Sequence, residues 1–406
     1  MAVIVQKYGG SSVASAELIT KVAKKIAART EGGNQVVVTV SAMGDTTDDL
    51  YKLAKAVNPD PNPREMDALL NTGELITCSL VAMAIEKLGK KAVSLNGKQA
   101  GIHTDHIHGQ AMITSFDAAR INKEMEHGKI VIVAGFQGIN DDGDVTTLGR
   151  GGSNTTAVAL AAGLKAEICE NFTDVDGIYT ADPRIVPDAR RLRDIGYEEM
   201  MELATYGFRV MHPRSIELAE MYGLPILVAS TFKDGPGTLI HGGKTMETKN
   251  KVRGIAHDMD VAKVTIVGVP DRAGIASQIF EALANANISV DTIVQNASIE
   301  RVTDLTFTVS RTDLERAMAT VEPVVKHIGA MKCVSDKRLG KVSIVGSGMQ
   351  NAPGYASRMF TTLAKNNINI DLITTSEIRI TCLIDEAMVK PAVLALHKAF
   401  ELEKAE

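Results

Sequence analysis

Two stretches of this chain are copies of one another: VTIVGVPDRAGIASQIFEALANANISVDTI from residue 264 and VSIVGSGMQNAPGYASRMFTTLAKNNINIDLI from residue 342. Each reads as an apolar strand, a Gly-containing loop, an amphipathic helix and a second strand. In both, a further strand (305–309 and 378–384) and a further helix (314–325 and 388–402) follow. The offset is roughly 75 residues, the length of one supersecondary unit, and a βαββα order of this kind closes as a ferredoxin-like βαββαβ fold. The C-terminal part of the chain is therefore expected to be a pair of such units.

The part ahead of the repeat has a different texture. Short runs of β-branched residues at 3–6, 36–40, 93–95, 129–134 and 165–169 alternate with helical patterns at 16–28, 65–88 and 155–162. Runs that are apolar throughout, with helices between them, indicate a mainly parallel sheet covered on both faces, an α/β fold of three layers. The segment DGPGTLIHGGKT, from residue 234, reads as turn and linker. Three domains are expected: 1–245, 262–338 and 339–406.

Bulk properties narrow the function classes. The chain has 406 residues, a net charge of -5 and 23% charged residues, so no basic field is available to hold nucleic acid. No apolar run in the sequence is expected to cross a membrane, and MAVIVQKYGG lacks the parts of a signal peptide. Cys78, Cys169, Cys333 and Cys382 are widely spaced and show no zinc pattern. They are expected to be buried free thiols of a cytoplasmic protein.

Several loops carry chemistry. Lys7-Tyr8-Gly9-Gly10-Ser11-Ser12 ends the first strand, where glycines admit a ligand to the backbone and Lys7 can place positive charge on a phosphoryl group. It lacks both GxxxxGK[ST] and GxGxxG, and a plain turn has the same composition. Leu148-Gly149-Arg150-Gly151-Gly152-Ser153-Asn154 is a Gly-rich turn entering a helix, with an Arg suited to a two-pronged contact on a carboxylate. Thr173 to Arg184 is dense in Asp, Gly, Tyr and Arg, which suits a nucleotide site; EF-hand spacing is absent. Glu74 opens a helix, where a carboxylate can equally serve as a cap. His103, His106 and His108 lie close together, but Asp105 does not complete a metal set, and no metal site is expected.

Taken together, these pieces resemble the aspartate kinases of the amino-acid kinase family. The resemblance runs through KYGGSSV at 7–13, SAMGDTTDDL at 41–50, NTGE at 71–74, KQAGIHTD at 98–105, VAGFQG at 133–138, TTLGRGGSN at 146–154, TDVDGIYTADPR at 173–184 and GFRVMHPRS at 207–215. The C-terminal repeat is similar to the paired ACT domains of those enzymes. The resemblance implies transfer of the γ-phosphate of ATP, with Mg2+, to the side-chain carboxylate of L-aspartate, the first step of lysine, threonine and methionine biosynthesis. It implies Lys7, Arg150 and Asn154 as catalytic residues. Ser41, Thr47, Glu74, Arg150 and Ser153 would hold aspartate, Glu74 by its ammonium and Arg150 with Ser153 by its α-carboxylate. Lys7, Gly9, Gly10, Thr173, Asp174, Tyr179, Arg184 and Arg209 would hold the nucleotide.

The chain departs from the family's pattern at Asn154, where Asp is usual. It departs also at Arg209 for Lys, at Ala229 where Arg is common, and at Tyr8 for Phe. Asn keeps the shape of Asp and one acceptor oxygen but not the charge. Asn154 is the ground for a second reading, a catalytically impaired homologue that serves as an amino-acid sensor or regulatory subunit. A kinase of another carboxylate or carbamate is a third reading, against which the double repeat argues.

By the same resemblance, effectors, with lysine and threonine as the default, would bind between repeats. The residues implied are Asp271, Gly274, Ile275, Ala276, Gln295 and Asn296 in the first, and Asn351, Pro353, Gly354, Asn369 and Thr374 in the second. The paired modules imply a homo-oligomer and leave room for a separate C-terminal regulatory subunit.

Overall fold

The structure is a computed structural model; it describes residues 2–243, 251–296, 302–349 and 352–404. The chain divides into two compact units, Met1–Tyr179 with Arg191–Thr248, and Thr180–Arg190 with Lys249–Glu406.

The first unit is built on an eight-stranded sheet in the order Asp194–Gly196, Thr238–His241, Ile226–Ser230, Ile168–Thr173, Val3–Tyr8, Gln35–Val40, Ile130–Ala134, Ala92–Leu95. All neighbours run parallel except Ile226–Ser230 against Thr238–His241. The central strands are buried along nearly their whole length, so both faces are covered, as their continuous apolar sequence requires. On one face Val36, Val38, Ile130 and Ile132 meet Ile19, Val22 and Ile26 of helix Ala16–Thr30 and Cys78, Val81 and Ile85 of helix Thr72–Lys87. Helix Ala16–Thr30 starts where Ser15 accepts the Leu18 N–H at 3.3 Å. Helix Gly152–Gly163 packs against Val3–Tyr8 and Ile168–Thr173.

A second, four-stranded sheet orders Ile113–Phe116, Ile102–Thr104, Gln137–Ile139 and Val145–Thr147. The stretch Pro63–Lys87 is, against the sequence expectation, long and apolar enough by composition to pass for a membrane span. It is two helices, Pro63–Leu70 and Thr72–Lys87, joined at Asn71, and half of its apolar window is buried within the protein. Cys78, Cys169 and Cys382 are buried free thiols and Cys333 is half-buried. Burial pushes the Cys78, Cys169 and Cys382 thiols up to about 12, which keeps them unreactive.

The second unit holds the repeat. In the first copy the sheet order is Ile293–Gln295, Val302–Val309, Ala262–Pro270, Lys332–Asp336, with helices Ile275–Asn285 and Leu314–Ile328. In the second it is Leu372–Thr375, Arg379–Asp385, Leu339–Val345 and then Gly254–Asp258, with helices Tyr355–Lys365 and Val389–Ala399. The fourth strand of the second copy thus comes from ahead of the first copy, outside both expected ranges. The two copies exchange charges: Lys263 pairs with Asp371, and Lys341, the equivalent of Lys263, pairs with Asp291, the equivalent of Asp371.

The second unit also takes in Thr180–Arg190, which the sequence placed inside the 1–245 block. Ala181 and Val186 join the core of the second copy, the Thr180 carbonyl accepts the Ile255 N–H at 2.8 Å, and Thr180 Oγ1 lies 2.9 Å from His397 Nε2.

Candidate active site

A cavity of about 1060 Å³ opens in the first unit at the C-terminal ends of its central strands. Lys7, Gly10, Ser41, Thr47, Glu74, Arg150, Ser153, Asn154, Thr173 and Arg209, all named from the sequence, line it. They arrive from six separate segments, among them the ends of parallel strands that stop at one edge of the sheet. The Ser41 N–H bonds to the Tyr8 carbonyl and the Gly44 N–H to the Gly10 carbonyl, which locks the two first loops side by side. Gly151 stands at the start of helix Gly152–Gly163 with φ 71°, and a Cβ there would lie 2.3 Å from His212. Only glycine satisfies both conditions.

Lys7 is 8% exposed and takes no ion pair or side-chain hydrogen bond among the described residues. Burial lowers its ammonium to about 8, against the opposing pull of Cys169 and Asp174. Glu74 is 3% exposed, and burial raises its carboxyl to about 7. One oxygen accepts the Ala42 N–H at 3.1 Å; the other, Oε2, has no partner among the described residues. The bond to Ala42 ties Glu74 to the loop after strand Gln35–Val40 and is not a cap on its own helix. Gly73 permits the approach, since a Cβ there would lie 2.8 Å from that of Ala42. Arg150 and Arg209 are exposed, and Asn154 is 9% exposed.

Gly9, Asp174, Tyr179 and Arg184 are not among the lining residues. Gly9 lies against the Lys7 ammonium, 3.4 Å from where its Cβ would be. Asp174 accepts from Thr173 Oγ1 at 3.0 Å and Tyr179 donates to Asp176 at 2.8 Å. Arg184 belongs to the second unit and pairs with Asp182 at 2.8 Å. In the second unit Gly274 (φ 89°) and Gly354 (φ 106°) open equivalent helices in left-handed conformation. Asn351 lies outside the described residues.

Reading the sequence missed Asp67, Gly109, Gln110, Phe136 and Thr147, all of which line the cavity. The cluster of histidines was the available signal. His108 is held by Asp67 at 2.8 Å and His106 stands 3.3 Å from Asp142.

Residues 2–230 match the model of the amino acid kinase family, and 264–323 and 342–400 match that of the ACT domain. An aspartokinase of Mycolicibacterium smegmatis is 50% identical over 99% of this chain and 97% of its own length.

This chain belongs to the amino acid kinase family, among the aspartokinases.

The match extends to solved structures. Aspartate kinase from Synechocystis is 40% identical, covering 100% of this chain and 70% of that one, with a TM-score of 0.57. Aspartokinase III of E. coli, in complex with lysine and aspartate, is 25% identical over 98% of this chain and 99% of that one, with a TM-score of 0.75. In this aspartokinase the kinase fold is thus the first unit, and the two ACT modules lie in the second.

Proposed function

We propose that this chain transfers the γ-phosphate of ATP to the side-chain carboxylate of L-aspartate and that small amino acids regulate it through the ACT modules. One observation carries the substrate: Lys7, Glu74 and Arg150 face a single cavity, and Glu74 keeps an oxygen without a partner. L-aspartate is complementary to that set. Its ammonium meets Glu74, its α-carboxylate meets Arg150 with Ser153, and its second carboxylate is left toward Lys7. Aspartokinase relatives at half identity support the same substrate.

The nucleophile is already an anion, so no general base is required. A side-chain oxygen of aspartate attacks the γ-phosphorus, the bond to the β-phosphate oxygen breaks, and ADP leaves with the electron pair. The protein's part is alignment and charge compensation. Lys7 stabilises charge on the transferring group. Gly9, Gly10, Thr173, Asp174, Tyr179 and Arg209, all of the first unit, are the proposed nucleotide contacts, with Ser41 and Thr47 on the aspartate side. Mg2+ would be held chiefly by the phosphate oxygens of ATP, as it usually is in phosphoryl-transfer sites. When bound it neutralises phosphate charge.

Lysine is the effector we assign first, because the E. coli relative is described with lysine bound. Its contacts would be Asp271, Gly274, Ile275, Ala276, Gln295 and Asn296, with Pro353, Gly354, Asn369 and Thr374 of the second copy. Such a site between modules implies at least a dimer, and a cytoplasmic setting suits free thiols. The impaired-homologue reading is not favoured, since relatives at half identity over nearly the whole chain are aspartokinases and Lys7, Glu74 and Arg150 all line the cavity.

The test is ADP release with ATP, Mg2+ and L-aspartate, for this chain and for Asn154→Asp. Turnover by both, suppressed by lysine, is expected. A silent chain restored by Asn154→Asp would reject the reading.

A further inference from the structure

Two buried carboxylates line the cavity, and they are bonded in opposite ways. Glu74 has an oxygen to spare, whereas Asp67, 1% exposed, has none. Its Oδ1 accepts from Thr147 Oγ1 at 2.5 Å and its Oδ2 faces His108 Nδ1 at 2.8 Å. The Gly109 N–H points at both oxygens, at 3.2 and 3.0 Å. A carboxylate offers about four acceptor positions, so Asp67 is fully engaged and unsuited to take a substrate ammonium as well.

What Asp67 holds is the frame around Arg150. Thr147 lies three residues ahead of Arg150 at the end of strand Val145–Thr147, and its carbonyl accepts the Ala111 N–H at 2.9 Å. Gly149 packs on the Gly109 carbonyl, 3.0 Å from where its Cβ would stand. From the other side Arg214 donates to the Leu148 carbonyl at 3.1 Å and to that of Ala111 at 2.9 Å. Asp67 therefore joins helix Pro63–Leu70, the loop containing His108 and Gly109, and the strand that delivers the Gly149-Arg150-Gly151 turn. Arg150 itself, exposed, makes no hydrogen bond or ion pair among the described residues. With no internal partner, the guanidinium's reach is set by where its backbone stands, so its usefulness depends on how firmly that turn is held.

We infer that Asp67 is a positioning residue for substrate binding: through Thr147 and Gly109 it fixes the turn that presents Arg150 to the α-carboxylate of the amino-acid substrate. This deepens the aspartate-kinase reading and rests on it. On the same helix, Arg64 bonds to Asp144 at 2.6 Å, anchoring the far end of the same hairpin without lining the cavity. It provides a comparator for purely structural loss.

The experiment measures steady-state ADP release by the full chain, varying aspartate and ATP separately, for wild type, Asp67→Asn, Thr147→Val and Arg64→Gln. Asp67→Asn is expected to raise KM for aspartate about tenfold, with KM for ATP within about twofold, because a small displacement of one carboxylate contact weakens only its own ligand. Thr147→Val, which removes a single donor and retains the buried Asp67, is expected to shift the same constant in the same direction by less. It keeps the test valid should Asp67→Asn fail to fold. Arg64→Gln is expected to lower melting temperature and leave both KM values unchanged. Equal changes in both KM values, or none in Thr147→Val, would overturn the inference. A wild-type chain without aspartate-dependent ADP release would instead reject the function on which it rests.

Discussion

Two lysines show how the units differ. Lys7 lies on a central strand of the first unit and Lys341 on strand Leu339–Val345 of the second, 8% and 6% exposed respectively. Lys341 is paired with Asp291, which meets its charge within the fold. Among the described residues Lys7 has longer-range attraction alone, to Cys169 and Asp174, and burial lowers its ammonium to about 8. An unmet buried charge costs stability and is retained where a ligand will meet it. The contrast separates a cation kept for chemistry from one kept for structure.

The largest expected effect tests the first half of that contrast. Lys7→Met should lower kcat by about 10³-fold, in the range for loss of one charge-stabilising donor. Its melting temperature should equal or exceed that of the wild type, because an unpaired buried charge has been removed. A destabilised variant with normal turnover would break the comparison.

Next in size is Glu74→Gln, which should lower kcat/KM for aspartate about 100-fold, as a charged hydrogen bond is worth some 1.5–3 kcal/mol. The pH profile sharpens this. The Glu74 carboxyl, raised to about 7, is charged only above that pH, and Lys7, lowered to about 8, is charged only below it. The free enzyme's kcat/KM for aspartate should therefore be highest between the two and fall on both sides. Glu74→Gln should remove the acid limb and leave the alkaline one.

In the second unit Asp291→Asn removes one partner of the buried Lys341 and should cost about 1–2 kcal/mol in denaturant unfolding, between the value of an exposed pair and that of a fully buried one. Smallest of all, Lys341→Met should change stability by less than about 1 kcal/mol, because an apolar side chain of similar shape replaces a pair that mostly offsets its own desolvation. Neither should alter kcat without effector. A loss of turnover in Lys341→Met would show that the second lysine is not merely structural.

Much of this was legible in the sequence. The strands at 36–40 and 130–134 announce themselves because a doubly covered strand must be apolar throughout, and the repeat shows itself by matching positions such as Gly274 and Gly354. The site loops were legible through a resemblance more than through chemistry, since a Gly-Gly turn and a helix-opening Glu each have ordinary uses. Strands such as 102–104 and 137–139 stayed hidden because three residues carry no period, and their pairing is long-range. Asp67 was hidden for a similar reason. It sits in an ordinary helical pattern, and its partners His108 and Thr147 lie 41 and 80 residues away. The break at Asn71 was legible, since Thr72-Gly73-Glu74 reads as the opening of a helix and the second helix starts there. That Thr180–Arg190 belongs to the second unit could not be read either, because its apolar residues, Ala181 and Val186, look like those of any loop.

The origin of the strand Gly254–Asp258 has a consequence for synthesis. The first ACT module is complete in one continuous stretch, whereas the second opens before it and closes after it. A growing chain must therefore hold 254–258 unpaired until residues 339–345 emerge. At about 5–20 residues per second that wait is on the order of 4–16 s, long enough for the inner module to fold first. The outer module is a bracket closed around a finished one, and a shorter chain begun between 258 and 262 would carry a whole first module beside a second with an open sheet edge.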